Sequence, residues 1–346
     1  FIVVLFHQLK NIFKKVKIKK ENRLFLLIIY IVDNFKERVI FMQKIMTVKE
    51  WLFALGIYPS LEAIEKFSLF FEMIESSARV KYPKEDLPPS LFKSGKIKKL
   101  SQKKKASFTS FLEKLDVAKE MAKYEKQGIK WVTILSEDYP FTLKQIFSPP
   151  IVLFYKGNFE LIKKHTWLGV VGARACTEYG LEATEHILEP LIKKSEKEIG
   201  VVSGLAKGID TKAHQVTLDA SGSTIGVIGT GLDRYYPFEN RTLQRKMIEK
   251  QLVVSEYPIG AKPLKFHFPE RNRIIAGLSR GILVVEAKKR SGSLITAYNA
   301  LDEGRDVFAV PGSIFEQTTD GCHRLIQLGG ILTKESEDIL KEWMYI

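Results

Sequence analysis

From Trp167 to Val310 short apolar runs alternate with segments of helical periodicity. The runs are Trp167–Val171, Ile199–Val202, Thr224–Ile228, Leu252–Val254, Ile282–Val285 and Val307–Val310. Each is continuous in hydrophobicity, the pattern of strands buried on both faces. Strands of that kind separated by helices predict an α/β protein with a doubly wound, mostly parallel sheet. Upstream the period changes. Between Met46 and Val80, Trp51, Leu52, Leu55, Ile64, Phe67, Phe70 and Phe71 recur at helical spacing, with a break at Gly56–Pro59. Phe108–Lys126 is helical again, with Phe111, Leu112, Leu115, Ala118 and Ala122 on one face. The pattern predicts a small helical domain with a basic, proline-containing linker over 46–107 and the α/β domain over 108–335, leaving 336–346 as a tail.

Residues 1–45 fit neither unit. Their apolar run, Leu24–Val32, is bounded by Arg23 and Asp33 and falls well short of the ~20 residues of a membrane helix. No small-residue cleavage site follows it. The expectation is upstream sequence ahead of a start at Met42 or Met46, with no membrane partner and no contribution to function.

In a doubly wound sheet ligands bind beyond the carboxyl ends of the strands. The segments there are Gly172-Ala173-Arg174, Ser203–Asp210, Gly229–Asp233, Ser255–Pro258, Glu286–Ser293 and Pro311–Ser313. Small residues let a ligand approach the backbone, and helix N-termini behind such turns offer N–H groups to anions. Arg174, Lys207, Lys288, Lys289 and Arg290 add charge on the same edge, and Arg271-Asn272-Arg273 opens a further helix. Arginine forks grip phosphate oxygens in a bidentate way.

Charge points the same way. The 346 residues carry a formal +14 and a pI near 9.4, which suits a polyanionic partner. Lysines also crowd 10–20 and 93–105, away from the sheet, where a solvated face accounts for them equally well. Cys176 and Cys322 are too few for a disulfide framework and fit a reducing, cytoplasmic setting.

Rival chemistries lack their signatures. A dinucleotide fold needs G-x-G-x-x-G after its first strand, where this chain has Gly172-Ala173-Arg174. A phosphate-binding P-loop needs Gly-Lys-Ser/Thr, and Gly208 is followed by Ile209. No cofactor is expected. Asp210 and His214 share a helix face and, with Glu286, make a crude metal set. The favoured reading is that Asp210 braces the loops and His214 packs behind it, with no metal.

The loop motifs together resemble the DprA/Smf family. They are Ser203–Asp210 with Ala213-His214, Gly229–Asp233 with Tyr236-Pro237 and Asn240, Ser255–Pro258, Phe268–Ser279, Ser291–Ala297, Gly304-Arg305 and Val307–Gly312. They stand in the family's order over about Gly128–Thr333. The resemblance implies an extended Rossmann fold and single-stranded DNA binding without catalysis. It also implies a homodimer that protects incoming DNA and loads the RecA recombinase during transformation. The contact set implied is Arg174, Ser203, Gly204, Lys207, Gly208, Lys265, Phe268, Arg271, Asn272, Arg273, Ser291, Gly292, Ser293 and Thr296. Phosphates would sit on the arginines, on Lys207 and on the amides of the Ser203-Gly204 and Ser291–Ser293 loops. Phe266 and Phe268 either stack bases or pack in the core. One of Arg271 and Arg273 has a second role open to it, a buried bridge to Glu256 or Glu286. Two positions depart from the family pattern, His323 where Asn is usual and Ala173 where a hydroxyl residue is common. A different class, the LOG phosphoribohydrolases, shares a Gly-Thr-Gly loop, but its Pro-Gly-Gly-x-Gly-Thr motif is missing here.

Overall fold

The computed structural model describes residues 38–41, 44–76 and 100–344. The Leu24–Val32 run and linker residues 82–99 lie outside them. The described chain opens with an antiparallel pair, β1 (Arg38–Phe41) and β2 (Lys44–Thr47), so the boundary expected at residue 45 falls inside a strand. Thr47 then starts α1 (Val48–Ile57) with a capping box, in which its hydroxyl accepts from the Glu50 amide and the Glu50 carboxylate accepts from the Thr47 amide.

Three further helices, α2 (Ala63–Ser76), α3 (Gln102–Lys114) and α4 (Val117–Lys126), join α1. Aromatic side chains hold them. Trp51 meets Phe108 edge-on at 6.0 Å, and Phe53 meets Tyr124 at 5.1 Å. The break expected between 107 and 108 therefore lies within α3, which belongs to the helical layer. Tyr124 also stacks on Phe154 of the sheet at 5.0 Å, so the helical layer and one sheet face share a single apolar cluster.

The sheet begins with β3 (Lys130–Thr133), and the short α5 (Phe141–Lys144) leads to β4 (Val152–Gly157). After α6 (Leu161–Lys164) come β5 (Thr166–Val171), α7 (Glu178–Lys194), β6 (Ile199–Ser203) and α8 (Ile209–Asp219). Next are β7 (Thr224–Ile228), α9 (Arg241–Lys250), β8 (Leu252–Ser255), α10 (His267–Leu278) and β9 (Gly281–Val284). The chain closes with α11 (Gly292–Asp302), β10 (Asp306–Ala309), α12 (Asp320–Gln327), β11 (Ile331–Leu332) and α13 (Ser336–Met344).

The nine strands run in the order β11-β10-β9-β5-β6-β7-β8-β4-β3. Pairing is parallel from β11 to β8, and β4 and β3 extend the sheet antiparallel. The six expected strands are β5 to β10. Along β5 the side chains alternate in the way a pleat requires. Leu168 and Val170 join the core on one face, and Trp167 and Val171 join the core on the other.

Residues 336–344, read as tail, form α13 and pack on α7. Ile339 and Trp343 are buried there, and the Trp343 indole donates to Asp306 at 2.8 Å. The strand order reverses at β5, which lies between β6 and β9. Crevices open at such reversals, beyond the strand ends.

Candidate nucleic-acid interface

A cleft of about 710 Å³ occupies this crevice. Its walls come from the loop after β5 (Gly172–Ala175), from Ala206 and Asp210 after β6, from Tyr236, and from residues of the β8–α10 and β9–α11 segments. Arg174, Lys265, Arg271, Lys288 and Arg290 line it, against Asp210 as the acidic wall residue among those described. A cleft lined by one sign of charge concentrates the opposite charge.

Arg174 is exposed, and its guanidinium lies 5.3 Å from the Phe268 ring centroid. Tyr236 lies against the same ring, centroids 5.4 Å apart and planes tilted by 32°. Phe268 is thus a wall aromatic in contact with a cation. Phe266 is 56% exposed and lines a different cleft, beside Glu270 and Tyr257, so it does not join the stack.

The two arginines of α10 part company. Arg273 turns to Glu256 and donates to both carboxylate oxygens at 2.7 and 2.6 Å, away from the cleft. Its expected phosphate contact is replaced by this bridge, because residues two apart on a helix face different sides. Arg271 faces the cleft although it is only 3% exposed. Its Nη1 donates to the Val227 carbonyl, its Nε has no partner, and no carboxylate among the described residues is within ion-pair reach. Burial, with Arg174 nearby, lowers its pKa to about 10 against the pull of Asp210. Asn272 between them lines the cleft and donates to the Gly292 carbonyl at 3.1 Å, tying α10 to the turn before α11.

The Ser203–Gly208 loop is braced from behind. The Asp210 carboxylate accepts from the amides of Gly204 (3.1 Å) and Ala206 (3.4 Å), and burial raises its pKa. Asn240 donates to the carbonyls of Leu205 (2.8 Å) and Ala206 (3.2 Å). This holds Leu205 at φ 53°, a strained conformation for a side chain of its size. The Gly204 amide is therefore taken, and the fully buried Ser203 hydroxyl donates to the Val170 carbonyl at 2.7 Å. At the Gly204 amide, the bond to Asp210 takes the place of the phosphate contact expected from the sequence. Lys207 is exposed and pairs with Glu239. Gly208 sits at φ 75°, where an added Cβ would lie 2.3 Å from the Ala173 carbonyl.

His214 packs behind the loop. It is fully buried, its Nδ1 is 2.7 Å from the Thr224 hydroxyl, and burial lowers its pKa to about 3. Glu286, the third member of the crude metal set, accepts from the Thr177 amide (2.9 Å) and hydroxyl (2.6 Å).

Ser291, Gly292, Ser293 and Thr296 meet at the start of α11, where no side chain caps the helix. The Ser291 and Ser293 hydroxyls are 2.8 Å apart, and the buried Thr296 hydroxyl has no partner. These free amides and hydroxyls suit an anion. Lys265 completes the rim. Among the wall residues outside the contact set, Tyr236, Lys288 and Arg290 bring an aromatic ring and two cations. The two cations were legible on the loop after β9. Tyr236 carried no signal beyond its place in a motif. Of the two departures, His323 Nε2 lies 3.1 Å from the Gly312 carbonyl, and Ala173 lines the cleft through the β5 loop.

Fold and site together define a doubly wound α/β protein with a cationic, aromatic-walled cleft at its switch point. The sequence pattern of the DNA recombination-mediator protein A family matches residues 130–344, and the chain belongs to that family. DNA processing protein DprA of Streptococcus pneumoniae is 52% identical over 221 residues, 64% of this chain and 77% of the relative. The Bacillus subtilis DprA is 47% identical over 222 residues, 64% of this chain and 74% of the relative. The solved S. pneumoniae DprA structure superposes with a TM-score of 0.69 at 40% identity, covering 86% of this chain and 99% of that one. A Helicobacter pylori DprA structure, described for its single-stranded DNA binding mode, gives 0.54 at 27% identity and covers 62% of this chain and 97% of that one.

Proposed function

We propose that this chain binds single-stranded DNA along the cleft and hands it, as a cytoplasmic homodimer, to the RecA recombinase during DNA uptake and recombination. The observation that carries the DNA reading is the Arg174–Phe268–Tyr236 stack beside the buried Arg271, with the uncapped start of α11 in the same cleft. Unpaired bases stack on such aromatics, and their phosphates meet the cations. A duplex keeps its bases stacked on each other and gains nothing from the rings. Family membership supports the mediator role, and the handover to RecA and the dimer rest on that membership. The reading is binding without catalysis. Asp210, the acidic group lining the cleft among the described residues, is engaged in holding the loop amides, and His214 behind it is bonded to Thr224.

The test is a titration of one oligonucleotide sequence, single- and double-stranded, at several salt concentrations. The single strand should bind tighter, with log affinity falling by about 0.7 per phosphate contacted for each decade of salt. Equal or tighter duplex binding overturns the reading. Release of ribose 5-phosphate from nucleoside monophosphates would replace it with a hydrolase.

A further inference from the structure

Beside the main cleft, and sharing Arg174, Tyr236, Phe268 and Arg271 with it, is a chamber of about 70 Å³, a tenth of the cleft's 710 Å³. Its remaining walls are Gly204, Ala206, Lys207, Gly229 and Pro237, and none of the described residues lining it is acidic. The glycines keep the space open. A Cβ on Gly204 would lie 1.9 Å from Arg271 Nη1, and one on Gly229 would lie 3.2 Å from the Phe268 ring. A buried guanidinium is costly unless an opposite charge accompanies it. Arg271 has no such partner within ion-pair reach among the described residues, and its Nε is unpaired. Arg174 beside it makes its charge harder still to keep. Asp210, beyond ion-pair reach, offsets that charge only in part, and the chamber has room for one small anionic group.

We infer that this chamber seats a terminal phosphomonoester of the DNA strand, with the nucleotides behind it running out along the main cleft. The inference rests on the reading of that cleft as a single-strand site. An internal phosphodiester seated there would have to turn a nucleoside back out into the main cleft on each side, whereas a terminal phosphomonoester leaves a single strand to place. A phosphomonoester carries a charge of about −1.5 to −2 and three free oxygens. Those oxygens match the donors of Arg174, Lys207 and Arg271, and arginine forks bind phosphate in a paired geometry. Lys207, held by Glu239 in the free protein, would exchange that carboxylate for the phosphate.

The experiment measures fluorescence anisotropy with one oligonucleotide in four forms: 5′-phosphorylated, 3′-phosphorylated, unphosphorylated and circular. At least one phosphorylated end should bind about tenfold tighter than the unphosphorylated strand, the scale of one charge-assisted contact. The circle should match the unphosphorylated strand, and the two phosphorylated arms identify the end. Lys207→Gln, an exposed change that leaves the fold in place, should shrink the preference itself, read as the ratio of the phosphorylated to the unphosphorylated affinity in the same variant. Arg271→Gln should abolish the preference, with its melting curve recorded alongside. Equal binding of all four forms overturns the terminal seat while leaving the DNA reading intact. Failure of every form to bind removes the DNA reading itself.

Discussion

At the scale of single residues, neighbours in the chain have opposite fates. Arg271 and Arg273 differ by two positions, and that spacing turns one to the cleft and the other to Glu256. Arg174 is exposed, stacked on Phe268, and bridged to no carboxylate among the described residues. Arg174→Ala is therefore expected to weaken single-strand binding by about 1–3 kcal/mol, the scale of a hydrogen bond to a charged group. Its melting temperature should stay within about a degree of the parent, since exposed substitutions change stability little. A fallen melting temperature with normal DNA affinity would make Arg174 a structural residue. His214 carries a pH prediction. Its pKa is about 3 in the fold and near 6.5 when unfolded, so between those values the unfolded chain binds the extra proton. Stability from the neutral buried ring is thus full above pH 6.5 and is lost as pH falls toward 3. The slope approaches about 1.4 kcal/mol per pH unit. Asp210, raised by burial, contributes with the opposite sign in its own range above the ordinary carboxylate value. Comparing the parent with His214→Gln in urea melts from pH 7 to pH 4 isolates the histidine term, and parallel profiles would refute it.

At the scale of elements, the loops rather than the strands set the site. The Ser203–Gly208 loop is held by Asp210 and Asn240 with Leu205 left-handed, so its cost in strain is met by bonds from α8 and from the turn before α9. Gly208 combines positive φ with an added Cβ that would lie 2.3 Å from the Ala173 carbonyl, on the β5 loop that carries Arg174. Gly208→Ala is expected to destabilise by about 1–3 kcal/mol, from strain in the backbone and displacement of Ala173. Because the same loop positions Arg174, DNA affinity should fall with it. Unchanged denaturation midpoint and affinity would show that the loop yields. The strands themselves were legible as apolar runs, and so was the placing of small and cationic residues on the loops that wall the cleft. The roles of Ser203 and Gly204 were not, because a small polar residue after a strand looks the same whether its groups face a ligand or the protein.

At the scale of the whole molecule, the two edges of the sheet divide the labour. The cleft lies beyond the carboxyl ends of the strands. At the opposite edge α13 covers the starts of β9 and β10, with Trp343 bonded to Asp306 and beneath the Arg280 guanidinium at 5.2 Å. Trp343→Ala should cost about 3–5 kcal/mol, as for other buried tryptophans. It should leave the dissociation constant for single strands unchanged in protein that remains folded. A shift in that constant would show that the two edges are coupled. No helix among the described residues is long and apolar enough to cross a membrane.

The chain's own periodicity determined the class of fold, the six central strands and the edge at which the cleft opens, because burial on both faces leaves a continuous apolar signature whatever the surroundings. The motifs in order determined the family. Only the tertiary structure decided which cation faces the cleft, which carboxylates hold loops, and that Tyr236 joins Phe268. Those outcomes depend on contacts between residues far apart in the chain, such as Arg271 with Val227 and Asp306 with Trp343. The antiparallel strands β3 and β4 also became visible only in the fold, since they acquire their place by pairing at the edge of a sheet built from residues that follow them.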